Sequence, residues 1–176
     1  MPKLEIRLPG PVGHLDWLRA CLGALLGIGL TGLVCHVWLA GAPGLPYLVA
    51  PMGASAVLLF AVPASPLTQP WSMLAGNILS TFTGVLCATF ITNELVAAPI
   101  AVALAIAVMR AARCIHPPGG AAALTAVLGG PAIKAAGFSY VLAPVAFNAV
   151  LLLGLAWLLN NAFRHPYPHR VELKPA

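Results

Sequence analysis

The chain has 176 residues, 60% hydrophobic and only 7% charged, against about 25% charged residues in a soluble domain. That balance excludes an ordinary soluble globule and points to an integral membrane protein, of a length that suits one all-α bundle of about six segments. The net charge of +5 does not imply nucleic acid, because the basic residues gather at segment ends and tails rather than along one polar face.

Residues 1–16 read as an irregular cytoplasmic arm carrying Pro2, Pro9 and Pro11 with charges of both signs. The apolar run from Ala20 to Ala42 exceeds the roughly 7–15 residues of a signal-peptide core and reads as a retained span. Trp17 and Trp38 are spaced as its two interfacial anchors, and Gly23 and Gly27 provide a small-residue step for close helix contact. The next run, Leu45 to Val62, is interrupted by Pro51 and Gly53 and leaves only half a span. After the turn marked by Pro63, Pro66 and Pro70, Trp71 to Ile91 forms a full span, with Gly76, Ser80, Gly84 and Ala88 drawing a small-residue stripe down one side. Asn93 and Glu94 mark a turn, Glu94 reading as a solvated loop charge. A further span starts at Ala97, carries a second stripe of Ala97, Ala101 and Ala105, and closes at Arg110 and Arg113. Gly119 to Gly130 is again half a span. Gly129, Gly130, Pro131 and Lys134 turn the chain into a last span, Phe138 to Phe163, and residues 164–176 form a cytoplasmic tail. The four cysteines show no C-x-x-C pair and read as buried thiols.

The stretch His116-Pro117-Pro118-Gly119-Gly120 organises the rest. Two prolines cannot continue an arriving helix and bias the residue before them away from the α region. Proline suits the first turn of a new helix, and glycines let other groups approach its free amide N–H groups. A helix N-terminus carries roughly half a positive charge and several such donors, so this one, preceded by Arg110, Arg113 and His116, is a candidate anion site. Gly53 and Ser55 at the first helix break, with Asn77 and Asn148 as an intramembrane polar pair, complete the candidate residues. Each has a plainer reading: the arginines as positive-inside charges, the asparagines as cross-helix hydrogen bonders, Ser55 and Thr125 as donors to their own helix backbone. Cys35 with His36, and Cys114 with His116, lack further ligands at metal-binding spacing, and no metal or cofactor is expected.

Set 67 residues apart, Pro51-Met52-Gly53-Ala54-Ser55-Ala56-Val57 and Pro118-Gly119-Gly120-Ala121-Ala122-Ala123-Leu124 match closely. Trp71-Ser72 falls on Phe138-Ser139 at the same offset, and Asn77 finds a counterpart in Asn148 once a few residues are inserted. The pattern predicts four long and two short helices in two copies of three. Three crossings per copy make the second copy inverted relative to the first, a signature of transporters with a site near the midplane. With both termini cytoplasmic, Lys3, Arg7, Arg19, Arg110, Arg113, Arg164, Arg170 and Lys174 lie inside and only Lys134 outside.

The His-Pro-Pro run, the Pro51 to Val57 run and the Gly76-Asn77 pair together resemble the HPP family of integral membrane proteins, over roughly Trp17 to Phe163. Similar members in cyanobacteria and chloroplasts are implicated in nitrite transport. The resemblance therefore implies a permease or channel for a small inorganic anion, nitrite being the family-level candidate, in a bacterial inner membrane. The expected partners are the lipid bilayer, the anion and a further copy of the chain, with no nucleic acid. The competing expectation is a membrane-embedded structural or regulatory subunit. An enzyme is not expected, since H-E-x-x-H, G-x-S-x-G and a usable pair of acids are missing, and no P-loop motif is present.

Overall fold

The computed structural model describes residues 14–40, 44–163 and 166–169. Among them the chain is all-helical: α1 His14–Trp38, α2 Pro51–Ala61, a 3-10 turn Pro66–Thr68, α3 Pro70–Phe90, α4 Glu94–Ala111, α5 Pro118–Leu128, α6 Pro131–Ala136, a π-type segment Val141–Ala146 and α7 Phe147–Ala162. Four helices, Leu15–Trp38, Pro70–Phe90, Glu94–Ala111 and Val141–Ala162, are long and apolar enough to cross a membrane, and α2 and α5 are the two short ones. The expected arm ends earlier than residue 16, because α1 already begins at His14. Its first thirteen residues, and the tail residues 164, 165 and 170–176, lie outside the described set.

The small residues decide which helices touch. Gly23 and Gly27 of α1 lie against the ring of Phe60 on α2, where an added Cβ would come within 2.4 Å and 2.7 Å of ring atoms. At one end of α2 the Val49 N–H donates to Asn148 Oδ1 at 3.0 Å. At the other, Asn160 Nδ2 donates to the Leu59 carbonyl at 3.0 Å, so α2 runs parallel to α7. Helix α5 runs parallel to α3 in the same way. A Cβ on Gly76 would stand 2.5 Å from His116 Cβ, and one on Gly84 would stand 2.4 Å from the Ala123 carbonyl oxygen. The expected stripe on this span is therefore the seat of α5. Ala97, Ala101 and Ala105 are fully buried against Cys87, Ala123 and Val127. Large apolar side chains such as Leu25, Val37, Leu95, Leu142 and Trp157 point outward, as a lipid-facing surface requires.

Both half-helices start with one local geometry, 67 residues apart. In α2, Met52 N–H donates to the Val49 carbonyl and Gly53 N–H to Ala50; in α5, Gly119 N–H donates to His116 and Gly120 N–H to Pro117, all at 2.9–3.0 Å. The start of α5 lies beside Gly76, six residues into α3, so it is set in by about 9 Å at 1.5 Å per residue.

Several expectations need correction. His116, the residue before the two prolines, lies outside the helices, whereas Pro117 (φ −54°) ahead of α5 and Ala50 (φ −51°) ahead of α2 are right-handed helical, held there by the tight bonds just described. The helix from Glu94 ends at Ala111, in keeping with its expected close at Arg110 and Arg113, and Arg113 sits at φ +53°. There Cys114 N–H reaches back to the Met109 carbonyl (2.9 Å) and Arg113 N–H to that of Arg110 (3.2 Å), a Schellman ending. The last span is not one helix from Phe138, because Ala143 ahead of Pro144 is extended (φ −135°, ψ 116°). Trp71-Ser72 lies inside α3 whereas Phe138-Ser139 precedes the last span, so the 67-residue offset ends with the half-helices. Cys21 is exposed, unlike the other three thiols.

Candidate functional site

The His116 side chain, fully buried, joins three elements. Its Nδ1 lies 2.8 Å from the Leu67 carbonyl oxygen of the 3-10 turn, and its Nε2 lies 2.9 Å from Ser55 Oγ on α2. A carbonyl oxygen only accepts, so Nδ1 carries the hydrogen and donates. In the neutral ring Nε2 is then an acceptor, and the Ser55 hydroxyl donates to it. Asn77 Nδ2 on α3 donates to Ser55 Oγ at 3.4 Å and to the Met73 carbonyl at 2.9 Å. Asn77 Oδ1, by contrast, and nearby Ser80 Oγ are buried with no hydrogen-bond partner. His116 lies in the connection between α4 and α5, outside the four long helices, and burial holds its imidazole below the ordinary histidine range, partly opposed by the bond to Leu67.

A cavity of about 610 Å³ is lined by Leu67, whose carbonyl faces His116, and by Gln69, Trp71, Ser72, Arg110, Arg113 and Ile115 among others; His116, Ser55, Asn77 and Ser80 do not line it. Arg110 and Arg113 are exposed and belong to this mouth; the structure does not bring them onto His116, which faces Ser55 and Leu67 instead. Trp71 Nε1 donates to the Ala112 carbonyl at 2.9 Å and ties α3 to the end of α4.

The helix terminus itself differs from expectation. Pro117 and Pro118 have no N–H to offer, and the Gly119 and Gly120 N–H groups are already bonded to His116 and Pro117. Gly119 is a close-packing position: an added Cβ would meet Ser80 Oγ at 2.6 Å and the Gly76 carbonyl at 2.8 Å. Pro117 is exposed and Pro118 buried. Gly53 and Gly120 face open space and lie off the polar cluster.

Asn148 stands apart from Asn77. Its Oδ1 accepts from Val49 N–H, and its Nδ2 donates to Cys35 Sγ (3.0 Å) and to the Tyr47 carbonyl (3.1 Å), so it fastens the chain entering α2. Thr125 donates to the Ala121 carbonyl of its own helix at 2.8 Å. Glu94 pairs with Lys134 at the end of α4 remote from Arg110.

Sequence reasoning missed two contributors. The Leu67 carbonyl is a backbone group in a proline-rich turn and leaves no trace in side-chain patterns. Tyr167, in the tail, donates its hydroxyl to the Thr68 carbonyl at 2.6 Å, and Asn161 Nδ2 holds the Tyr167 carbonyl at 2.8 Å. A tyrosine between Pro166 and Pro168 in an otherwise polar tail was the available signal.

An all-helical bundle with four helices long enough to cross a membrane, an outward-facing apolar surface and its polar groups gathered inside defines an integral membrane protein. Residues 9–168 match the family described as HPP, transmembrane region. The chain belongs to the HPP family. It is 40% identical over 127 residues to one curated transmembrane protein of Dictyostelium discoideum, covering 69% of this chain and 40% of that one. A second from the same organism is 38% identical over 126 residues, covering 69% and 44%. The chain thus spans less than half the length of these relatives. No solved structure matches it.

Proposed function

We propose that the protein is a permease or channel for a small monovalent anion, with nitrite as the candidate implied by the family resemblance. The observation that carries this reading is the meeting of both half-helices on a buried polar cluster of His116, Ser55, Asn77 and Ser80, joined through the Leu67 carbonyl to a residue that lines a cavity with Arg110 and Arg113. Intramembrane polar groups are costly and tend to mark pathways. Arg110 and Arg113 attract the anion to the mouth, and the cluster forms the inner station. The shared start geometry of α2 and α5 and their parallel seating on α7 and α3 support an inverted repeat of α1–α3 and α4–α7. In that arrangement the arginine-lined end faces the cytoplasm, in keeping with the positive-inside rule.

The structural-subunit reading draws support from the close packing of Gly119 and from the satisfied N–H groups of α5. It leaves Asn77 Oδ1 and Ser80 Oγ unexplained, since a packing protein gains nothing from buried unpaired acceptors. The Ser55–His116 pair has the make-up of a nucleophile and its base, but Ser55 is fully buried, and in this reading the pair handles protons rather than acyl groups. Uptake of nitrite, nitrate and formate into proteoliposomes tests the proposal. Transport above protein-free vesicles, reduced in Asn77→Leu, is expected; no uptake of any of the three under any gradient transfers the case to the subunit.

A further inference from the structure

We propose that the cavity between the start of α3 and the end of α4 holds the headgroup phosphate of one anionic glycerophospholipid, gripped by Arg110 and Arg113 with the Ser72 hydroxyl as a further donor. This inference goes beyond the transport reading and does not rest on it. Arg110, Arg113, Ser72 and Trp71 all line this one space of about 610 Å³, and no acid is among its described lining residues. Among the described residues Asp16 pairs with Arg19 and Glu94 with Lys134, while neither Arg110 nor Arg113 has a carboxylate partner. Ser72 is only 8% exposed, yet its hydroxyl makes no hydrogen bond among the described residues. Three donor groups without acceptors are thus gathered in one cavity. The planar guanidinium fork matches the two free oxygens of a phosphodiester and stays charged at every physiological pH.

The rest of the cavity and its surroundings suit a lipid rather than a soluble phosphate. Its other walls include Leu67, Ile115 and the exposed indole of Trp71, which is held in place by its Nε1–H bond to the Ala112 carbonyl at 2.9 Å. An indole so placed at the end of a membrane helix sits where the hydrocarbon gives way to headgroups. From Arg110 the exposed face of α4 runs back through Ala107, Ile106 and Ala103, at the three, four and seven residue spacings that share one side of a helix. The small side chains at 103 and 107 leave a shallow apolar track, along which an acyl chain lies when its headgroup is at Arg110. A free phosphate would use the arginines and the serine but nothing of this track. Among phospholipids the anionic ones fit, because a zwitterionic headgroup would bring its own ammonium beside two guanidinium groups. Basic pockets between membrane helices are a recurrent seat of anionic headgroups. One phosphodiester charge against two guanidinium charges leaves the occupied cavity positive, so a bound lipid does not cancel its attraction for a small anion.

The test is made on the full chain, stripped of lipid in a neutral detergent and titrated with phosphatidylglycerol, phosphatidylcholine or inorganic phosphate, with native mass spectrometry counting the bound molecules. One phosphatidylglycerol is expected to bind saturably and to be preferred over phosphatidylcholine by at least about tenfold. That preference should vanish in the double variant Arg110→Gln, Arg113→Gln and persist in Lys134→Gln, at the other end of α4. Phosphatidylglycerol with brominated acyl chains should quench tryptophan fluorescence in a saturable component that Trp71→Phe removes. Equal binding of the two lipids, or a preference that survives the double variant, overturns the proposal. Displacement of the lipid by inorganic phosphate at matched concentration gives the cavity to a soluble ligand and overturns it as well. The selectivity and displacement measurements use the unaltered chain, so they decide the matter even if the double variant does not fold. Absence of nitrite uptake would overturn the transport reading and leave this one standing.

Discussion

Ser55 and His116, 61 residues apart in sequence, meet at 2.9 Å between Oγ and Nε2 in the interior of the bundle. The contact joins the second turn of one half-helix to the residue that introduces the other, so the two helix breaks are coupled through one hydrogen bond. Ser55→Ala removes the donor and leaves the ring nitrogen buried without a partner, which costs about 1–3 kcal/mol. For a chain of this size that corresponds to a loss of several degrees in Tm, at about 2–4 °C per kcal/mol. Thermal unfolding in detergent reads it directly; a Tm equal to that of the unaltered protein would mean that the contact holds nothing together.

The same burial gives a pH dependence whose sign can be worked out. His116 titrates below the ordinary histidine value in the folded protein, chiefly through desolvation, whereas in the unfolded chain it titrates near its usual value of about 6.5. As the pH falls through that value the unfolded chain binds more protons than the folded one, so stability is full above about 6.5 and declines below it. Unfolding temperatures followed from about pH 7.5 to about pH 5 should fall, and fall less in His116→Gln. Identical slopes for the two proteins would exclude His116 as the group responsible.

Adjacent glycines of the motif should respond oppositely to one methyl group. On Gly119 it would lie 2.6 Å from Ser80 Oγ and 3.1 Å from Met109 Sδ, and overpacking of this kind costs about 1–3 kcal/mol. On Gly120 it meets nothing within 4 Å, and inside a helix alanine is favoured over glycine by about 0.5–1 kcal/mol. Gly119→Ala should therefore lower Tm while Gly120→Ala holds or raises it. If both fall together, the seat of α5 on α3 is not the one described.

Much of the fold was legible because a membrane chain advertises its architecture through length and small residues. Apolar runs, the interruptions at Pro51 and Pro118 and the stripes at Gly76, Ser80, Gly84 and Ala97, Ala101, Ala105 are one-dimensional signals, and each maps to a real contact. The site was only half legible. His116, Ser55 and Asn77 could be named as polar residues near helix breaks, yet which of them meet depends on how α2 and α5 seat on partner helices, and no local pattern encodes that. The expectation of free N–H groups at Gly119 and Gly120 failed for a local reason: Pro117 is already helical, so the carbonyls before the prolines capture those donors in short turns. Arg110 and Arg113 are close to His116 in sequence, but the Schellman ending turns them outward into the cavity mouth.

That ending supplies a way to separate structure from function at Arg113. The position is left-handed, φ +53°, where glycine is the usual residue and a side chain carries a cost on the order of 1 kcal/mol. Arg113 occupies that conformation in spite of its side chain, so backbone and guanidinium effects can be separated by substitution. Arg113→Gly removes the charge and relieves the strain in one step, so Tm should stay level or rise by a few degrees while anion uptake falls. The loss should be greatest at low ionic strength, where an exposed charge acts over a longer range. Arg113→Gln, which removes the charge but keeps a Cβ in the left-handed conformation, should show the same loss of uptake without the gain in stability. Uptake unchanged in both variants would reduce Arg113 to a marker of membrane orientation and leave Arg110 to account for the attraction of the cavity mouth.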